Sequence, residues 1–279
     1  MEWKEINMNE IVIQYSGGTD STAATVLVAE KYDRIHLITY KHSGLAKVEN
    51  SARNIEKLKE LFGKDKFLHV VMDTDKIYKM VSYSEYLKNI RDHGLFVLSS
   101  CGLCHFSMHI RTLIYCLDNS ITETADGANK NSDHFPTQME PVIMEVRKMY
   151  KHFGINYSNP VFDCVFPKDL DWKHKFKLPG TEEPPPEGMT TGKICAGKGI
   201  LEKDNIKGTP TDRKMQPRCF GFTLHNLFSL KYYIPRYGFE EYIAETTNFY
   251  KHKVEYFTRE IELYLENREK SKLSQVIDK

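Results

Sequence analysis

Two stretches of the chain carry residue types that could do chemistry. The first is Gln14-Tyr15-Ser16-Gly17-Gly18-Thr19-Asp20-Ser21-Thr22. Paired glycines let the main chain come close to a ligand. Free N–H groups at the start of a following helix would then face that ligand, together with the positive end of the helix dipole. Ser16, Thr19, Ser21 and Thr22 add hydroxyl donors. Asp20 is the odd member, because a carboxylate repels phosphate unless a cation stands between them. A polyphosphate with Mg²⁺ bridging it to Asp20 is therefore expected here.

The second stretch is Cys101-Gly102-Leu103-Cys104-His105, with Arg111 seven residues beyond Cys104. Two thiolates at this spacing can share one metal centre. A third ligand would come from Cys195 or Cys219, both far off in the chain. Cys219 follows Pro217-Arg218 and precedes a helical run, so it is the expected third metal ligand. Cys195 lies between glycines in a basic loop and is expected to be the mobile, reactive thiol. Three readings stay open: an iron–sulfur cluster, a structural Zn²⁺ site, and a thiol pair that passes a persulfide. Cys116 and Cys164 have apolar neighbours and read as buried fillers. The Cys-x-x-Cys-His run also matches a c-type haem attachment motif. That chemistry requires export, and the charged N-terminal residues carry no signal-peptide core. Gly192 to Gly199 nearly matches a Walker loop, but Gly199 stands where Ser or Thr should be. It reads as a flexible basic loop.

The elements that must position these residues alternate. Ile11-Val12-Ile13, Arg34 to Tyr40 and Lys66 to Met72 read as strands. Helical runs fall at Ala23 to Glu30, Asn50 to Phe62 and Glu85 to Ile90. A helix is expected from the Cys101 region to Leu117, then a strand at Ile121 to Ala125. Asp126-Gly127 follows at that strand's end. Thr137 to Phe153 reads as an amphipathic helix and Asn159 to Asp163 as the last strand. This order predicts an α/β, Rossmann-like parallel sheet with covering helices. Ligands of such sheets sit beyond the C-terminal strand ends, where the Ser16 loop, Thr39-Tyr40 and Asp126-Gly127 all fall. Residues 1–165 are expected to form the ligand-binding domain. Residues 166–279 would form a loop-rich, then helical extension serving as lid, substrate contact or oligomer face. Its aromatics, including Tyr242, Phe249 and Phe257, read as core or an oligomer surface.

Composition narrows the function classes. In 279 residues, Lys and Arg number 39 and Asp and Glu 38, a net charge of +1. That balance does not advertise a nucleic-acid binder. No apolar run is long enough to span a bilayer, so a cytoplasmic protein is expected. Its cysteines then read as ligands or thiols, not disulfides.

Ser16-Gly17-Gly18-Thr19-Asp20-Ser21 matches the Ser-Gly-Gly-x-Asp-Ser signature of the PP-loop ATP pyrophosphatases, so the chain resembles that superfamily. Around Cys101 and Cys104 it is most similar to the ATP-dependent tRNA thiolases of the TtcA and TtuA types. The resemblance implies that the loop holds the β- and γ-phosphates of ATP. A substrate oxygen would attack the α-phosphate to give an adenylate and pyrophosphate. It implies adenine near Thr39 and Tyr40, and a second nucleotide-side loop at Asp126-Gly127, though the family's Asp-Asp pair is missing. Asp20, Ser21, Arg111 and Cys195 would be the catalytic residues. Cys101, Cys104 and Cys219 would hold a [4Fe–4S] cluster, or Zn²⁺ if the chain follows the 7-cyano-7-deazaguanine synthase branch. The implied reaction is adenylation of a carbonyl followed by sulfur insertion. The alternatives are an amide- or nitrile-forming ligase and a non-catalytic nucleotide-binding subunit. Implied partners are ATP, a sulfur donor such as a cysteine desulfurase, an acceptor that is a nucleobase in tRNA or a small molecule, and a second copy in a homodimer. If the acceptor is tRNA, the lysines between Lys193 and Lys214 would contact it. The chain departs from the thiolases in showing no N-terminal RNA-binding domain, no zinc ribbons and little positive charge.

Overall fold

The structure, a computed structural model, describes residues 8–94, 96, 102–166, 187–219, 221 and 226–277. Strand β1 (Glu10–Gln14) leads through helix α1 (Thr19–Val28) to β2 (Arg34–Lys41). A short β3 (Leu45–Ala46), a 3₁₀ turn (Val48–Asn54) and α2 (Ile55–Phe62) precede β4 (Phe67–Asp73). After α3 (Asp75–Tyr83) and α4 (Tyr86–His93) come α5 (Leu103–Asp118), β5 (Glu123–Ala125), α6 (Glu140–His152) and β6 (Asn156–Ser158). Among the described residues, five strands form one sheet in the order β4-β2-β1-β5-β6, and every pairing in it is parallel.

This is the α/β, Rossmann-like sheet that the alternation implies. β1 lies at its centre, and Ile11, Val12 and Ile13 are all at most 1% exposed because helices cover both faces. Strand alternation assigns the faces. Ile11, Ile13 and Tyr15 join Ala23, Ala24 and Val26 of α1 in one core. Val12 joins Phe106, Ile110 and Leu113 of α5 in the other.

The C-terminal helices share the second core. After a π-helical stretch (Asn226–Tyr233), the long helix Phe239–Glu266 buries Tyr242, Phe249, Tyr250, Phe257 and Ile261. The ring of Phe106 meets those of Tyr250 and Phe257 edge-on, at 6.1 and 5.8 Å. Full burial of each such side chain is worth about 1.5–3 kcal/mol. These aromatics are core, while Leu265 at the helix end is exposed.

Three expectations are corrected and one helix is added. The last strand is Asn156–Ser158, one turn earlier than Asn159 to Asp163, because Asn159 and the residues after it turn away to bond the β5 loop. The helix expected at Glu85 to Ile90 is α4, and a further helix, α3, precedes it, with Glu85 at φ 56° between the two. The first part of the 50–62 helix is 3₁₀. The basic loop around Cys195 contains helix α7 (Thr191–Gly197), capped by the Thr190 hydroxyl, which accepts from the Lys193 N–H. The expected strand ends, the α5 run and the α6 run lie within a few residues of the observed bounds.

Candidate active site

From β1 the chain runs to β2 and β4 on one side of the sheet. It later returns to β5 and β6 on the other side. The strand order therefore reverses between β1 and β5, the position at which open parallel sheets leave a ligand crevice. The loop after β1 and the loop after β5 meet there. A Cβ on Gly127 would lie 2.6 Å from Ser21 N and 2.8 Å from the Asp20 carbonyl carbon. Only glycine lets the second loop close on the first. Gly17 is likewise required: its φ is +77°, and a Cβ would meet Ser51 Cα at 2.6 Å and Met215 O at 2.7 Å. A cavity of about 270 Å³ opens over this crevice, lined by both loops and by Thr39, Tyr40 and His105.

The loop residues are held largely by one another. The Ser21 hydroxyl reaches Ser16 Oγ at 3.2 Å and accepts from the Ser16 N–H at 3.3 Å. The Gly18 N–H donates to Ser16 Oγ, and the Gly17 carbonyl accepts from Asn54 Nδ2. Thr22 bonds the Gly18 carbonyl and so opens α1. Thr19 begins that helix. Asp20 lies in its first turn, and burial drives its carboxyl above the ordinary carboxylate range. Two groups pull it back: the Thr191 hydroxyl, donating to Oδ1 at 2.6 Å, and the charge of Lys207. A cavity-lining carboxylate with this little compensation fits a cation, as Mg²⁺ bridging to phosphate requires.

At the opposite wall, Thr39 donates to the Tyr15 carbonyl at 2.7 Å and Tyr40 bonds Thr112 on α5. Both Thr39 and Tyr40 line the cavity. Asp126 is buried. It accepts from Tyr157 O–H and Asn159 Nδ2, each at 2.7 Å, and from the Ala128 N–H at 2.9 Å.

The cysteines fall into three settings. Cys101 lies outside the described residues. Cys104 is the second residue of α5, and its thiol is pushed up to about 12, first by burial and next by the charge of Cys219. Cys219 is exposed on β7 (Arg218–Cys219), which pairs antiparallel with β3 so that Leu45 faces Cys219. The charge of Cys219 acts on the Cys104 thiol, so the two stand near each other, as ligands of a shared cation must. Cys195 is not the loosely held thiol expected. It sits in α7 and is fully buried, with Sγ 3.6 Å from the Thr19 carbonyl, and burial and then Asp20 push it up to about 12. Helix α7 packs it under α1, so the basic sequence around it gives no mobility. Cys116 and Cys164 are buried, as fillers should be.

Arg111 lies on α5 outside the cavity lining. Its charge acts on Tyr40 and Tyr115, and its Nη1 is buried with no hydrogen-bond partner among the described residues. Three cavity neighbours were missed by sequence reasoning: Thr191, His105 and His109. Thr191 touches Asp20 from 171 positions away, and no local signal marks it. His105 and His109, four apart on a helix, did carry a signal, the spacing of two imidazoles on one helical face.

No protein-family model matches the chain, and no curated protein matches it. Among solved structures it is similar to a predicted subunit of tRNA methyltransferase from Methanocaldococcus jannaschii, at 19% identity and TM-score 0.36, over 55% of this chain and 69% of that one. It is similar to NMN synthetase from Francisella tularensis at 12% identity and TM-score 0.36, over 89% and 87%. It is also similar to the U34-tRNA thiolase NcsA from Methanococcus maripaludis, solved with its [4Fe–4S] cluster, at 14% identity and TM-score 0.37, over 81% and 73%. Likenesses this weak carry no argument about activity. No described helix is long and apolar enough to cross a membrane.

Proposed function

We propose that the chain is an ATP pyrophosphatase-type sulfurtransferase of the PP-loop class. The observation that carries this reading is the Ser16–Thr22 loop at the switch point of the sheet, closed over by Asp126-Gly127 beside one cavity. In this reading the N–H groups and hydroxyls of residues 16–22 hold the β- and γ-phosphates. Asp20 would hold Mg²⁺, which supplies charge neutralisation at the phosphates. Thr39 and Tyr40 flank the adenine, and Asp126-Gly127 closes the nucleotide side. An acceptor carbonyl oxygen attacks the α-phosphorus, the bond to the β-phosphate oxygen breaks, and pyrophosphate leaves. The oxygen now leaves as AMP when sulfur adds to the same carbon. Making a poor leaving group into a good one is the chemical reason for consuming ATP.

Cys101, Cys104 and Cys219 would hold a [4Fe–4S] cluster, which when bound supplies an iron open to sulfide. Cys195, buried and protonated, is kept in this reading as a packing residue beneath the phosphate loop and not as a carrier of sulfur. The acceptor is a carbonyl in a nucleobase, within tRNA or free, and the sulfur donor is of the cysteine desulfurase class.

Anaerobic purification with iron analysis tests the sulfur branch. Cys101→Ala, Cys104→Ala and Cys219→Ala should each lose iron, while Cys195→Ala keeps it. Wild-type protein without iron would overturn the cluster. Zinc lost from the same three variants would point instead to the ligase branch.

A further inference from the structure

We propose that His105, His109 and Asp126 form a second metal site, for a divalent transition ion of the zinc and iron(II) class, in the wall of the cavity and separate from the cysteines. His105 and His109 stand one turn apart on α5, with ring centroids 4.7 Å apart. Asp126 reaches them from the end of β5. Its Oδ2 lies 3.8 Å from His105 Nε2 and 3.9 Å from His109 Nε2, and one ligand atom from each of the three residues lies within 4.8 Å of the others.

These distances are too long for hydrogen bonds. The three groups converge without satisfying one another. A four-coordinate ion with metal–ligand bonds of about 2.1 Å sets its ligand atoms about 3.4 Å apart. Small side-chain rotations would close the ring around such an ion. The donor set is two imidazoles and one carboxylate. That set suits zinc or iron(II) and not Mg²⁺, which prefers oxygen alone. Three protein ligands also leave a coordination position open. His105 and Asp126 line the cavity, so that position faces it.

The surroundings support ligation. The Asp126 carboxylate is fixed from behind by Tyr157, Asn159 and the Ala128 N–H, which aims it without covering both of its oxygens' lone pairs. The Gln14 amide lies 2.7 Å from His109 Nδ1. With its oxygen turned to that nitrogen, Gln14 accepts the Nδ1 proton and leaves Nε2 free toward Asp126, as outer-shell partners of metal-bound histidines do. The far end of the amide, placed as Oε1, is buried with no hydrogen-bond partner among the described residues, so nothing there opposes that orientation. Gln14 is available because β1 alternation turns it, like Val12, toward α5.

The inference goes beyond the ATP reading and stands or falls separately from it. The full chain carrying Cys104→Ser, which removes a ligand from the cysteine set, is stripped with a chelator and titrated with Co²⁺ as a spectroscopic probe and then with Zn²⁺. One equivalent of Co²⁺ should give visible ligand-field bands without the near-ultraviolet charge transfer of a thiolate ligand, and Zn²⁺ should erase them. His105→Gln and Gln14→Leu should weaken Co²⁺ binding by at least about tenfold, as loss of a ligand or of its outer shell does. His105 is the less buried histidine, so His105→Gln should fold normally by circular dichroism and isolates ligation from folding. Bands unchanged in folded His105→Gln would overturn the site. So would the absence of any bands.

Discussion

Two sides of the crevice are built in opposite ways. The loop after β1 offers main-chain N–H groups and hydroxyls from consecutive residues and needs glycine at position 17 for its backbone path. The wall opposite is built from side chains that are distant in sequence: Gln14 from β1, His105 and His109 from α5, Asp126 from β5. The first arrangement suits an extended anion, because N–H groups and a helix start carry partial positive charge along a line. The second suits a compact cation, because neutral imidazoles and a carboxylate point at one place. One crevice thus presents an anion side and a cation side. Asp20 is the exception on the anion side, a buried carboxylate among donors of hydrogen bonds.

Breaking the anion side should have the largest effect. Asp20→Ala is expected to lower pyrophosphate release by about 10²–10³-fold, the usual size of loss for one charge-stabilising group, measured with acceptor present. Unchanged release would separate Asp20 from the chemistry.

Gly127→Ala comes next. The new Cβ would press on the Ser21 and Asp20 backbone, which cannot swing away as a side-chain tip can. Overpacking of this kind costs about 1–3 kcal/mol. The predicted result is a lower melting temperature together with weakened ATP binding. A normal melt with normal ATP affinity would show that the two loops do not need close contact.

Asp20→Asn sharpens the comparison through pH. An aspartate carboxyl ordinarily titrates near about 3.9, and here the folded value is higher. Between those two values the folded state holds more protons than the unfolded state, so stability falls as pH rises through that window. Above it the full cost of the charge remains. In the nucleotide-free, metal-free protein, Asp20→Asn should therefore melt higher than wild type at pH 7, and the gap should shrink below about pH 4. A lower melting temperature at pH 7 would contradict the assigned burial.

Thr191→Val acts on the same carboxyl from outside the loop. It removes one hydrogen bond to a charged group, worth about 1.5–3 kcal/mol. Because that bond lowers the Asp20 carboxyl, the variant should shift the acid limb of the pH–activity profile upward. An unmoved limb would assign the limb to another group.

Much of this was legible in the sequence, for a physical reason that differs by region. The Ser16–Thr22 loop is contiguous, so its residue types and spacing are visible in one line. The parallel sheet was legible because β1, β2 and β4 are apolar runs separated by helical ones. The last strand was misplaced because Asn159 and Val161 belong to the turn that braces Asp126 and Asn129, and only tertiary bonds show that. Cys195 misled because glycine and lysine flanks suggest a loop, whereas burial under α1 makes a helix of Thr191–Gly197. The His105–His109 pair was visible as a spacing but lacked its third ligand until β5 brought Asp126 beside it.

The central claim is that this crevice turns ATP into an adenylate. The most direct measurement is phosphorus NMR of the full chain with ATP, Mg²⁺ and separate pools of tRNA and of small nucleobase compounds as acceptors. AMP and pyrophosphate should appear in equal amounts with one of the two pools, with no ADP. ADP and inorganic phosphate as products, or ATP left intact with both pools, would contradict the account.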